Sequence, residues 1–109
     1  MRTLKFIVDG QIIRQDPNCD FSDLVPGTSE YLKAEFSFSP EWDGRIKVAA
    51  FWSVLGREYP PQLLRDGREC IIPEEALRRR KFKVQVIGKK DGSKLTTNRV
   101  EVNQNGGRT

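Results

Sequence analysis

Residues 73–88, PEEALRRRKFKVQVIG, change period within one short stretch, and that change decides the fold. Pro73 opens a helical turn, a position that suits proline because its missing N–H would have no helical partner there. Glu74 and Glu75 then sit at the positive end of the turn's dipole and Arg78 to Arg80 at its negative end. From Lys81 the pattern alternates, with Phe82, Val84 and Val86 on one side and Lys81, Lys83 and Gln85 on the other. Such a strand needs a core on its apolar face. The rest of the chain has to supply that core.

Other segments carry the same period. TLKFIVDGQIIRQ places Leu4, Phe6 and Val8 on one face and reads as a hairpin turning at Asp9-Gly10, residues that tolerate positive φ. YLKAEFSFS points Leu32, Ala34, Phe36 and Phe38 inward and Lys33, Glu35 and Ser37 outward. RIKVAAFWSV is apolar on both parities, with Ile46, Val48 and Ala50 on one side and Ala49 and Phe51 on the other, so it reads as a central strand. NCDFSDLVPGTSE is dense in turn formers and reads as a surface loop whose Phe21, Leu24 and Val25 tuck against the sheet. Further turns are expected at Asp43-Gly44, Asp66-Gly67 and KKDGSK, with Pro60-Pro61 marking a blunted edge. Seven or so short strands, separated by regular turn signals, predict an all-β chain forming a single antiparallel β-sandwich. One short helical turn falls around residues 73–80. The domain is expected over residues 1–103, with 104–109 a flexible polar tail. Phe36, Phe38, Trp42, Val48, Phe82, Val84 and Val86 are the expected core.

A chain of 109 residues can build one core without metals or disulfides. It has no run of 18 apolar residues, and its first residues lack the apolar stretch of a secretory signal, so no membrane segment and a cytosolic origin are expected. There is no histidine, and Cys19 and Cys70 lie far apart, so no metal site, no cofactor and no Cys–His catalysis are expected. Both thiols should be reduced, Cys70 buried in its apolar run. Glu41 and Asp43 flank Trp42, but as a turn acid and a solvated acid around a buried indole rather than a catalytic pair. Asp66 and Glu69 likewise flank a turn. No catalytic residue is assigned, and the chain is not expected to be an enzyme.

Charge is uneven along the chain. Residues 1–54 hold six Lys/Arg against eight Asp/Glu, whereas residues 55–109 hold thirteen against seven. Arg78, Arg79, Arg80, Lys81 and Lys83 form the candidate interaction surface. Successive helical positions point about 100° apart, so the three arginines cannot all follow one phosphate track. A single-strand binder would add exposed aromatics, whereas Phe82 has inward parity. A nucleic-acid partner is therefore not favoured. A solvated rim or a protein contact fits better.

The series FSFSPEWDG, KVAAFW, LLRDGRECIIPEEAL, FKVQVIG and TTNRVEV resembles a small immunoglobulin-like β-sandwich module of bacteriophage structural proteins. That module occurs near the N-terminus of tail-fibre, baseplate and head-fibre proteins of phages of Gram-positive bacteria. The matching positions are Phe36, Phe38, Trp42, Asp43 and Gly44; then Asp66, Gly67, Cys70, Ile72 and Pro73; then Thr96, Thr97, Asn98 and Val100, within about residues 30–102. The resemblance implies Trp42 as a core plug, and Thr97 and Asn98 as partners of backbone groups beside the last strand. This sequence departs from the pattern at Glu74-Glu75, where the relatives carry a tryptophan, and in its basic run.

The implied setting is the virion, with synthesis in the host bacterial cytoplasm. The implied partners are other virion proteins, whether major capsid, tail or baseplate protein, and further copies on the particle. The expected function is a capsid decoration or head/tail fibre-attachment module. A phage regulator binding a host or defence protein, a weak nucleic-acid binder through residues 78–83, and a carbohydrate binder using Trp52 or Tyr59 are the alternatives.

Overall fold

The structure, a computed structural model, describes residues 1–104; the tail beyond Gln104 lies outside the described residues. In chain order the elements are β1 (Arg2–Asp9), β2 (Ile12–Gln15), β3 (Leu32–Phe38), a 3-10 turn (Pro40–Trp42) and β4 (Ile46–Trp52). They continue as β5 (Gln62–Leu63), β6 (Glu69–Ile71), α1 (Glu74–Leu77), β7 (Lys81–Lys90), β8 (Ser93–Thr96) and β9 (Val100–Asn103). One sheet has the order β2-β1-β3-β6. The other runs β5-β4-β7, with β8 and β9 pairing successive halves of β7 on its remaining edge. Both sheets contribute to one apolar core. The all-β expectation holds.

The all-antiparallel expectation does not. β1 and β3 pair in parallel, Arg2 beside Leu32 through Val8 beside Phe38. Parallel neighbours need a long crossover, and here β2 and residues 16–31 supply it. The Arg2 guanidinium fastens that loop by donating to the carbonyls of Asp20 (3.0 Å) and Ser22 (2.6 Å). Leu24 is buried and Phe21 meets the Phe6 ring edge-on at 5.5 Å, whereas Val25 stays exposed, contrary to its expected tuck.

Turn chemistry follows the Asp-Gly pairs with one shift. Asp91 (φ +50°) and Gly92 (φ +79°) both occupy the left-handed region in the two-residue loop joining β7 to β8, as a tight hairpin requires. In the first hairpin Asp9 pairs with Ile12, so the turn itself is Gly10-Gln11, one residue later than expected.

Phe36, Trp42, Phe82, Val84 and Val86 lie in the core, and Phe38 packs against it half-buried. Val48 does not belong to it. In β4 the inward row is Lys47, Ala49 and Phe51; Val48 faces outward with Ile46, which is 68 % exposed. Lys47 can occupy that row because its ammonium leaves the core over the Phe38 ring, 5.2 Å from the centroid. The helix is also shorter than expected. It ends at Leu77, with Ala76 and Leu77 buried and Arg78 as its C-cap.

Trp42 closes one end of the sandwich. Its indole Nε1 donates to the Gly10 carbonyl at 2.8 Å, and its ring lies 5.2 Å from that of Phe38. Gly88, the last inward position of β7, leaves room for it: a Cβ there would stand 2.8 Å from Trp42 Cζ3. Asn98 ties the two sheets at their edge, its Oδ1 accepting from Ile13 N–H at 2.7 Å. Thr97 Oγ1 accepts from Val86 N–H at 3.0 Å where the ladder passes from β8 to β9. These are the backbone-satisfying roles expected of both residues.

Replacing Trp42 with Ala is expected to cost about 3–5 kcal/mol as a large core truncation, and Gly88→Ala about 1–3 kcal/mol as overpacking. The double variant should cost less than the sum, because removing the indole frees the space the new methyl needs. Denaturant melts of the four proteins check this, and simple additivity would contradict the contact.

Candidate functional site: a cationic cleft

The other end of β7 carries a cleft. Three segments converge there: the end of β4 with the loop after it, the α1–β7 corner, and the end of β9. They bound a cleft of about 970 Å³ lined by Ser53, Val54, Leu55, Arg57 and Tyr59, by Arg79, Arg80 and Lys81, and by Asn103 and Gln104. Four of these residues are cations and none is an acid.

The loop after β4 is a hydrogen-bonded knuckle. Ser53 N–H donates to the Arg57 carbonyl at 2.8 Å, Arg57 N–H to Ser53 Oγ at 2.9 Å, and Gly56 N–H to the Ser53 carbonyl at 3.1 Å. Gly56, at φ +93°, permits the turn. Its tip carries Leu55, 94 % exposed, beside exposed Val54. Half-buried Tyr59 packs behind it against the core.

Gln104 organises the opposite wall. It is 2 % exposed, its N–H donates to the Arg80 carbonyl at 2.6 Å, and its Nε2 donates to the carbonyls of Leu77 (3.0 Å) and Arg79 (2.7 Å). The sequence reading put this residue in the tail. Instead it fixes the backbone from which Arg79 and Arg80 project.

The candidate interaction residues separate into groups. Arg79, Arg80 and Lys81 come together in the cleft, joined by Arg57, which the sequence reading did not single out. Arg78 lies outside the lining and pairs with Glu74 at 3.0 Å. Lys81 stands 3.7 Å from Glu101. Lys83 faces Trp52 and Glu101 in register and is not part of the cleft. Among the described residues, Arg57, Arg79 and Arg80 have no carboxylate within ion-pair distance.

Other candidates are engaged within the chain. Trp52 donates to Gln85 Oε1 at 3.0 Å, and the Arg99 guanidinium sits 3.5 Å over its ring, so the indole is a poor sugar platform. Glu41 is exposed, and a hydrogen bond from the Ser39 hydroxyl holds its carboxyl below its usual pKa. Such a group stays ionised rather than poised to donate a proton. Glu69 is likewise lowered, chiefly by its hydrogen bond with Lys33 at 3.1 Å. Among the described residues no group of three or more His, Cys, Asp or Glu side chains could hold a metal ion. No helix there is long and apolar enough to cross a membrane.

The outer face of the second sheet carries one more feature. Register aligns Leu63 on β5, Val48 on β4 and Ile87 on β7 in one apolar row, with Leu63 67 % exposed. No family model matches the chain, and neither does any curated protein or solved structure.

Both cysteines are free. Burial, and then the neighbouring Glu69 charge, push the Cys70 thiol up to about 12. Titration with Ellman's reagent at neutral pH should therefore modify Cys19 alone in the native protein and both thiols in denaturant. Two fast-reacting thiols in the native protein would contradict the packing of β6.

Proposed function

We propose that this chain is a protein-docking module of a bacteriophage particle, an immunoglobulin-like sandwich that attaches to capsid, tail or baseplate protein as a decoration or fibre-attachment element. The observation that carries the docking part is the knuckle at residues 53–57. A monomer gains nothing by holding a leucine almost fully in water on an ordered loop beside three arginines that have no carboxylate partner among the described residues. An interface gains an apolar anchor and a steering field. The phage setting is supported by the sequence resemblance over residues 30–102. The core plug Trp42 and the backbone-satisfying pair Thr97 and Asn98 occupy the roles it implies.

Single contacts of this size are weak, and repeated copies on a symmetric lattice would raise the effective affinity. The isolated protein is accordingly a monomer or small oligomer that binds stably only to assembled particles. Sedimentation of purified protein with particles lacking it is the test. Co-sedimentation at low salt that weakens as salt rises is the expected result. No co-sedimentation with heads or tails, together with tight binding to a soluble host protein, would replace the particle reading with the regulator reading.

A further inference from the structure

The chemistry of the cleft specifies what enters it, and two features beyond net charge narrow the choice. The first is Gln104. Its Nε2 donates to two carbonyls, so flipping the amide would set its oxygen against both and leave that of Arg79 unpaired. Its Oε1 is then a buried acceptor with no hydrogen-bond partner among the described residues. That oxygen is enclosed, so Gln104 serves the cleft by fixing the backbone of Arg79 and Arg80, whose exposed guanidiniums are the groups open to a ligand. The second is the apolar lining, which is aliphatic at Val54 and Leu55, with Tyr59 the one aromatic.

From these we infer that the cleft receives an extended, acidic segment of a partner protein. Its carboxylates lie on Arg57, Arg79 and Arg80, and one apolar side chain packs against Leu55. Arginine suits this role because its planar fork accepts a carboxylate in two parallel hydrogen bonds. A nucleic-acid strand fits less well. Val54 and Leu55 offer no ring on which bases could stack, and half-buried Tyr59 is the one aromatic in the lining. The inference deepens the docking reading and rests on it only for the identity of the partner.

The probe is a labelled eight-residue peptide of alternating Glu and Asp around a central Leu, titrated into the full chain. A single-stranded DNA oligonucleotide of equal charge serves as competitor. In salt of about 0.15 M, where screening acts over about 8 Å, the peptide should bind, and Arg79→Glu with Arg80→Glu should weaken it at least about tenfold. Leu55→Ser alters an exposed loop tip, so the fold is not at risk. It should weaken the peptide about threefold or more and leave oligonucleotide binding unchanged. Any of three results would overturn the inference: oligonucleotide binding tighter than peptide binding, equal loss of both ligands in Leu55→Ser, or no detectable peptide binding. Particle co-sedimentation of the Arg79→Glu, Arg80→Glu protein separates the two proposals. If it persists undiminished, docking stands and the cleft inference fails.

Discussion

The inward row of β7 is the constraint on which the rest depends. Phe82, Val84, Val86 and Gly88 are all buried, and β7 pairs with β4 along one side and with β8 and then β9 along the other. Each buried aliphatic or aromatic side chain contributes about 1.5–3 kcal/mol relative to exposure. The strand's register is thereby fixed, since a one-residue slip would turn every one of them outward. Fixing that register also places its ends. At one, Gly88 admits the Trp42 indole, and the ring seals the layers beneath the first hairpin.

The other end inherits the charge. Because Phe82 must point inward, Arg79 to Lys81 are confined to the rim where α1 stops and β7 starts. There they cannot spread along a face as a phosphate track would need. Gln104 holds that corner by donating to the carbonyls of Leu77, which Gly27 N–H also reaches, and Arg79, in the manner of side-chain caps that satisfy the last turn of a helix. The Ser53–Arg57 knuckle faces it across the cleft. Fold and site are two consequences of one strand.

Much of this was legible from periodicity. The strands containing Phe36, Phe82 and Val84 show their inward faces directly, and the Asp-Gly pairs mark turns because positive φ favours those residues. Val48 was misplaced because β4 is apolar on both parities. Only the partner sheet decides that Ala49 and Phe51 face the core while Lys47 escapes over Phe38. The parallel pairing of β1 with β3 leaves no trace in alternation, which carries no strand direction. Gln104 was hidden as one polar residue among others, since its burial answers carbonyls far away in sequence. Val54-Leu55, an apolar pair between Ser53 and Gly56, was a readable signal of an exposed loop tip, but the strand reading took in Val54 and passed over Leu55. The basic run showed its charge, but only the three-dimensional arrangement pairs Arg78 with Glu74 and leaves Arg79 and Arg80 with no carboxylate partner among the described residues.

Native-state hydrogen exchange tests the central role of β7 most directly. The amides of Val84 and Val86 and the Trp42 indole N–H should exchange only through global unfolding, at the free energy obtained from denaturant melts, while the Ser53–Arg57 knuckle opens more readily. Exchange of the β7 amides through a cheaper local opening, with β1 and β3 still protected, would contradict the claim that this strand holds the sandwich together.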